Sequence, residues 1–349
     1  MKFHGLVIKK LVVFPVPNPR GVKNMKRIGI AVGGLLLATA ILSLRSGHAQ
    51  DASGAQQLPT HNWADGNPLK IALLKWYPAN LTTSFKVGKA PAAFAFDGVN
   101  IWVSNNGDNT VSKLRPSDGT ILGTFSAGEQ PIGLVFDGAN IWAADSYVGT
   151  VTKIRASDGK TLGTYTVGKT PRYLAFDGEA VWVTNTQASS ITKLRANDGK
   201  VLGTFSDNLG VVDIAFDGTY MWVTNVKNTV TRFKQDGTQA GTFKVGQTPI
   251  SLAFDGNDIF VAALDGTVTK LRASDGALLG TFNCGTDGSG MTFDGQNLWL
   301  TAGPYILEIR RTDGSALLVK RLHGGLAGIG FDGANVWVTG YVHGSVFKL

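Results

Sequence analysis

Beyond residue 50 the chain carries three histidines (His61, His323, His343), three glutamates (Glu129, Glu179, Glu308) and one cysteine (Cys284). These types supply most general acids, bases, nucleophiles and metal ligands, and here they are few and scattered. His323 and His343 are two ligands without a third, where zinc takes three or four, so no metal and no cofactor is assigned. Neither a Ser-His-Asp nor a Cys-His arrangement can be built, and no glycine-rich phosphate loop precedes a helix. Aspartate is abundant, but 16 of its 22 copies directly precede glycine, which marks them as turn formers. A repeated calcium site would need more oxygens than one carboxylate per turn. What is left is a set suited to recognition: Tyr147, Arg172, Tyr173, Asp213, Tyr305 and His343. A guanidinium and a carboxylate answer charge, and tyrosine offers an apolar ring with a polar tip. Such groups hold a ligand without breaking a bond in it.

The elements that position these residues follow from an internal repeat. Phe-Asp-Gly begins at Phe96, Phe136, Phe176, Phe216, Phe254, Phe293 and Phe331, at intervals of 38 to 40 residues. Each unit holds four short segments rich in Val, Ile, Thr, Phe and Trp, each ended by Gly, Asn or Asp. Such segments read as strands, and the Asp-Gly pairs between them suit tight hairpin turns. Seven such units predict an all-β fold over residues 81–349: a seven-bladed β-propeller with four antiparallel strands per blade. The second strand places Trp102, Trp142, Trp182, Trp222, Phe260, Trp299 and Trp337 at one register, expected to form core between blades. The recurrent third-strand lysines (Lys113, Lys153, Lys193, Lys270) are expected to lay their stems along the sheet and keep the ammonium in water. The last unit supplies three segments, Ala327–Phe331, Val336–Thr339 and Ser345–Leu349. Leu81–Gly88 matches the fourth strands of the other units. The N-terminal segment is therefore predicted to complete the last blade beside the C-terminal strand, which covers a sheet edge.

A position identical in every copy serves blade geometry; one that departs is free for other work. The departures fall in the connections between the second and third strands and between one blade and the next, which share one end of the propeller. There the copies carry Asp145-Ser-Tyr147, Arg172-Tyr173 in place of Ala92-Ala93, Asp213, Asp287, Pro304-Tyr305, His323, Tyr341 and His343. Loops over a rigid scaffold are the usual place for binding residues. The structural alternative is that the tyrosines only cover the channel mouth and that Arg172 pairs with Asp213.

Residues 1–49 contain eight of the 33 basic residues and no acidic one, so the remainder balances 25 against 25. The overall charge of +8 belongs to this leader, and nucleic acid is excluded as a partner. Lys26-Arg27, the apolar run Ile28–Leu42 and the small residues Gly47 and Ala49 read as a secretory signal cleaved after Ala49, with Met25 a second candidate start. No stable membrane span then remains, and the protein is expected in the periplasm or outside the cell. Residues 50–80 form a linker and flanking segment that includes Ile71–Leu74 and Trp76-Tyr77. A single cysteine leaves an exported fold to be held by packing alone.

The unit Val167–Pro171, Trp182-Val-Thr-Asn185, Ile191–Leu194 resembles the YVTN-type β-propeller repeat, within the virginiamycin B lyase-like superfamily, with Trp in place of the motif's Tyr. The resemblance implies the propeller. Its lyase members use His and Glu with a divalent metal on one face, and no residue here matches that motif. The leading expectation is a non-catalytic, exported binding or interaction propeller presenting a surface for a peptide, glycan, small molecule or envelope protein. The alternatives are a lyase-like, metal-dependent C–O lyase and a structural component of the cell envelope.

Overall fold

Alternating apolar and hydroxylic residues between Asp-Gly turns give short strands with two usable faces, and stacking such sheets side by side buries both. The computed structural model describes residues 83–206, 210–285, 288–322 and 324–349; the leader, the segment 50–80 and the positions Asp287 and His323 lie outside them. Among the described residues, 28 strands form seven four-stranded antiparallel sheets. The first strands of successive blades neighbour one another in a closed ring around the axis. The seventh sheet joins Leu326–Phe331, Val336–Gly340 and Ser345–Lys348 to Thr83–Lys86, with Thr83 opposite Lys348 and Lys86 opposite Ser345. Both predictions, the blade number and the closure, hold.

Burial follows position in the blade. Second strands such as Ile101–Asn105 are buried along their whole length because a blade lies against each face. Fourth strands such as Ile121–Ser126 alternate between exposed and half-buried, since they form the outer rim. Five of the second-strand tryptophans are at most 1 % exposed; each such burial contributes roughly 4–6 kcal/mol before entropy is counted. The Phe-Asp-Gly aspartate does more than make a turn. Its carboxylate accepts backbone N–H bonds two and three residues on, and also the indole N–H of the blade's tryptophan, as from Trp182 to Asp177 at 2.7 Å. The fifth blade has Phe260 in place of tryptophan, and there Arg311 of the next blade takes the Asp255 carboxylate at 3.0 Å.

The outer ring carries a second layer. The fourth-strand aromatic packs on the tryptophan in five blades, tilted in four and stacked in one, at 5.4–5.7 Å between centroids. The ring of Phe125 also lies where a side chain on Gly159 of the next blade's turn would stand. That glycine has φ of 76°, a conformation costly for other residues. The lysines depart from the sequence expectation. Lys113 and Lys153 donate to the carbonyls of Ala156 and Ala196 in the following blade, at 2.7 and 2.6 Å. Their ammonium groups lie over Trp102 and Trp142. Carbonyls at the blade seam take the place of water around the ammonium, so these lysines staple blade to blade.

Candidate functional site

The inner end of the first strand is irregular in six of the seven blades. In the third blade Pro171 pairs with Asn185 and Leu174 with Val183, so Arg172 and Tyr173 together face the single residue Thr184. Such a β-bulge re-aims the side chains it carries. Thr184 Oγ1 accepts the Tyr173 amide at 3.1 Å and donates to the Val212 carbonyl of the fourth blade at 2.9 Å. Ser104 and Thr339 repeat the device, the latter tying the seventh blade to Ala92 of the first. These hydroxyls hold the bulges in a ring about the axis at the end where the copies diverge.

The bulged residues line a cavity of about 560 Å³, within the range of small-molecule sites. Much of its wall is apolar, from small residues such as Ala93, Gly133 and Ala327 to Phe94, Leu134 and Met291. Against it stand Arg172, Tyr173 and Asp213, joined by Ser251, Ser289 and Tyr341. The Arg172 guanidinium is exposed and lies 5.4 Å from the centre of the Tyr173 ring. Asp213 occupies the bulge position of the fourth blade. Its two oxygens accept the amides of Ile214 at 2.8 Å and Leu252 at 3.0 Å, so it ties the fourth blade to the fifth. Burial nevertheless pushes its pKa up to about 6, against the pull of those amides, Ser251 and the Arg172 charge. Burial likewise raises the Tyr173 phenol, which stays protonated at neutral pH.

Of the six residues singled out from the sequence, the fold brings Arg172, Tyr173 and Asp213 together in this cavity. The other three lie elsewhere. Tyr147 projects from a turn of the second blade and is 72 % exposed. Tyr305 begins a third strand of the sixth blade and packs, half-buried, against that blade's core with Arg321 over its ring. His343 sits in a shallow depression beside Lys86, Arg321 and Ser345 on the seventh blade's rim. The Arg172–Asp213 pairing considered from the sequence gives way to backbone amides as the carboxylate's bonding partners, with Arg172 acting on it only by charge. Ser251 and Ser289 were not singled out. Ser251 falls at the bulge register shared by Ala93, Gly133, Tyr173 and Asp213, so reading that register down the repeats would have found it. Among the described residues no group of three His, Cys, Asp or Glu could hold a metal.

The class of protein is thus a seven-bladed β-propeller with a cavity walled by its first strands. No protein-family model and no curated protein matches the chain.

Proposed function

We propose that this is an exported, non-catalytic binding propeller whose axial cavity takes the anionic head of a small molecule or peptide. The observation that carries the reading is convergence. The departures Arg172, Tyr173 and Asp213 come from two successive blades, and they supply all the charged groups of one cavity whose remaining wall is mostly apolar. Arg172 offers charge-assisted donors to a carboxylate or phosphate, Tyr173 braces the guanidinium, and Ser251 and Ser289 add hydroxyls along the wall. The described lining has one carboxylate and no histidine, which supports binding over the acid–base pair that elimination by a lyase-like propeller would use. The likeness of Trp182-Val-Thr-Asn185 to the YVTN-type repeat supports the reading at the level of the fold, and the basic leader supports export.

The test is ligand-observed NMR on the full chain with benzoate, phenyl phosphate, benzamide and benzylamine as probes. Benzoate and phenyl phosphate should bind, and Arg172→Ala/Tyr173→Ala should abolish their signals while leaving the urea midpoint unchanged. Losing charge-assisted bonds of roughly 1.5–3 kcal/mol corresponds to roughly 10- to 150-fold in Kd. A preference for benzylamine, or binding that survives the double substitution, would refute the proposal.

A further inference from the structure

The first strand of every blade ends its sheet, and alternate amides along such an edge have no strand to pair with. The fourth to sixth blades show where one of these amides points. Leu252 sits opposite Val261, and its N–H donates to the Asp213 carboxylate of the preceding blade at 3.0 Å. Met291 sits opposite Leu300, and its N–H donates to Ser251 Oγ of the preceding blade at 3.0 Å. The Ile214 amide is taken by Asp213 itself. Phe94, Leu134, Leu174 and Ile329 hold the same register against their second strands, so their amides turn to the same edge. Across the blade boundary they face Gly328, Ala93, Gly133 and Gly290 respectively. None of these carries a side-chain acceptor.

All four of these residues line the axial cavity. Leu134 and Leu174 belong to the second and third blades, and Arg172 stands at the head of the third with its guanidinium exposed. A Cβ on Gly133 would meet the Arg172 carbonyl and the Leu174 side chain, so the second blade abuts the third at this point. Phe94 and Ile329 belong to blades farther from Arg172. Resting on the binding reading above, we infer that the amides of Leu134 and Leu174 join the Arg172 guanidinium in holding a tetrahedral oxyanion, the phosphoryl or sulfonyl head of an otherwise apolar ligand. Main-chain amides are fixed dipoles that serve as anion donors without a charge of their own. A carboxylate has two oxygens in one plane, and a bidentate guanidinium occupies both. A tetrahedral head offers three oxygens, so one remains to be met by the amides. Ile132, Met291 and Leu326 on the same wall take the apolar body.

The experiment titrates the full chain at pH 5 with phenyl phosphate, benzenesulfonate and benzoate, each then carrying about one negative charge. At least one of the tetrahedral anions should bind roughly tenfold more tightly than benzoate, and which of them does so separates a phosphoryl from a sulfonyl head. Ala93→Ser copies into the first blade the hydroxyl by which Ser251 takes the Met291 amide. It should occupy the Leu134 amide and weaken that anion roughly tenfold, while Ala92→Ser, out of that register, should change its Kd less than about twofold. Adding the anion should also shift the nitrogen-15 amide resonances of Leu134 and Leu174. Benzoate binding as tightly as both tetrahedral anions, or equal effects of Ala93→Ser and Ala92→Ser, would overturn the inference and leave Arg172-dependent anion binding standing. If none of the three anions bound, the binding reading itself would fall with it.

Discussion

Replacing Asp145 with asparagine should stabilise the protein at neutral pH and remove part of its pH dependence. Asp145 ends the second strand of its blade and is fully buried. It accepts the Gly128 amide at 2.9 Å and the hydroxyls of Thr150 and Thr152 at 3.1 and 2.7 Å. Asn185 fills the same place in the next blade: its carbonyl accepts the Gly168 amide and its amide donates to Ser190 and Thr192. The geometry thus accommodates a neutral amide without rearrangement. The carboxylate, by contrast, has lost its water, and burial raises its pKa from 3.8 to about 6 against the three hydrogen bonds. An acid whose pKa is higher folded than unfolded favours the folded state fully below pH 3.8, and that contribution is lost as pH rises through about 6. The difference is worth about 3 kcal/mol. Urea unfolding at pH 4 and at pH 7.5 measures it. Asp145→Asn should match the parent within about 1 kcal/mol at pH 4, where Asp145 is protonated in the fold, and exceed it by about 3 kcal/mol at pH 7.5. Equal stability at pH 7.5, or parallel pH profiles for the two proteins, would refute the reasoning.

Asp213 has the same sign of displacement, so benzoate binding beside Arg172 should weaken roughly tenfold between pH 5 and pH 7.5 as that carboxylate ionises; a titration showing flat affinity would remove Asp213 from the site. Gly133→Ala should weaken benzoate binding without touching a polar group, because its new Cβ would strike the Arg172 carbonyl and push the bulge that carries Tyr173; an unchanged Kd would show the bulge to be irrelevant. Burial pushes the Cys284 thiol up to about 11, so at pH 8 only about a thousandth is thiolate, and iodoacetamide should label it far more slowly than it labels free cysteine. Expression with the leader intact should yield an exported chain beginning at Gln50, read by N-terminal sequencing; retention of residues 1–49 would contradict the signal.

The architecture was readable in the sequence because a repeat states its own geometry. Seven Phe-Asp-Gly turns at nearly constant spacing specify seven like units. A fourth-strand pattern stranded ahead of the first unit shows where the ring must close. Tryptophan at one register announced a buried layer. The same redundancy pointed to Arg172, Tyr173 and Asp213 as departures, but strand periodicity cannot say which departures meet. Tyr147, Tyr305 and His343 depart as plainly and point elsewhere, because distance from the axis depends on which strand of the blade carries a residue and on whether a bulge turns it inward. A bulge is a mismatch between two strands, and neither strand shows it alone. The lysine staples, the indole bonds to the Phe-Asp-Gly carboxylates and the raised pKa values of Asp145 and Asp213 likewise depend on neighbours brought together from other strands or from the next blade some 40 residues on. The linear pattern determined how many sheets there are and what each is made of; the stacking of one sheet on the next decided which of their side chains share a cavity and which lose their water.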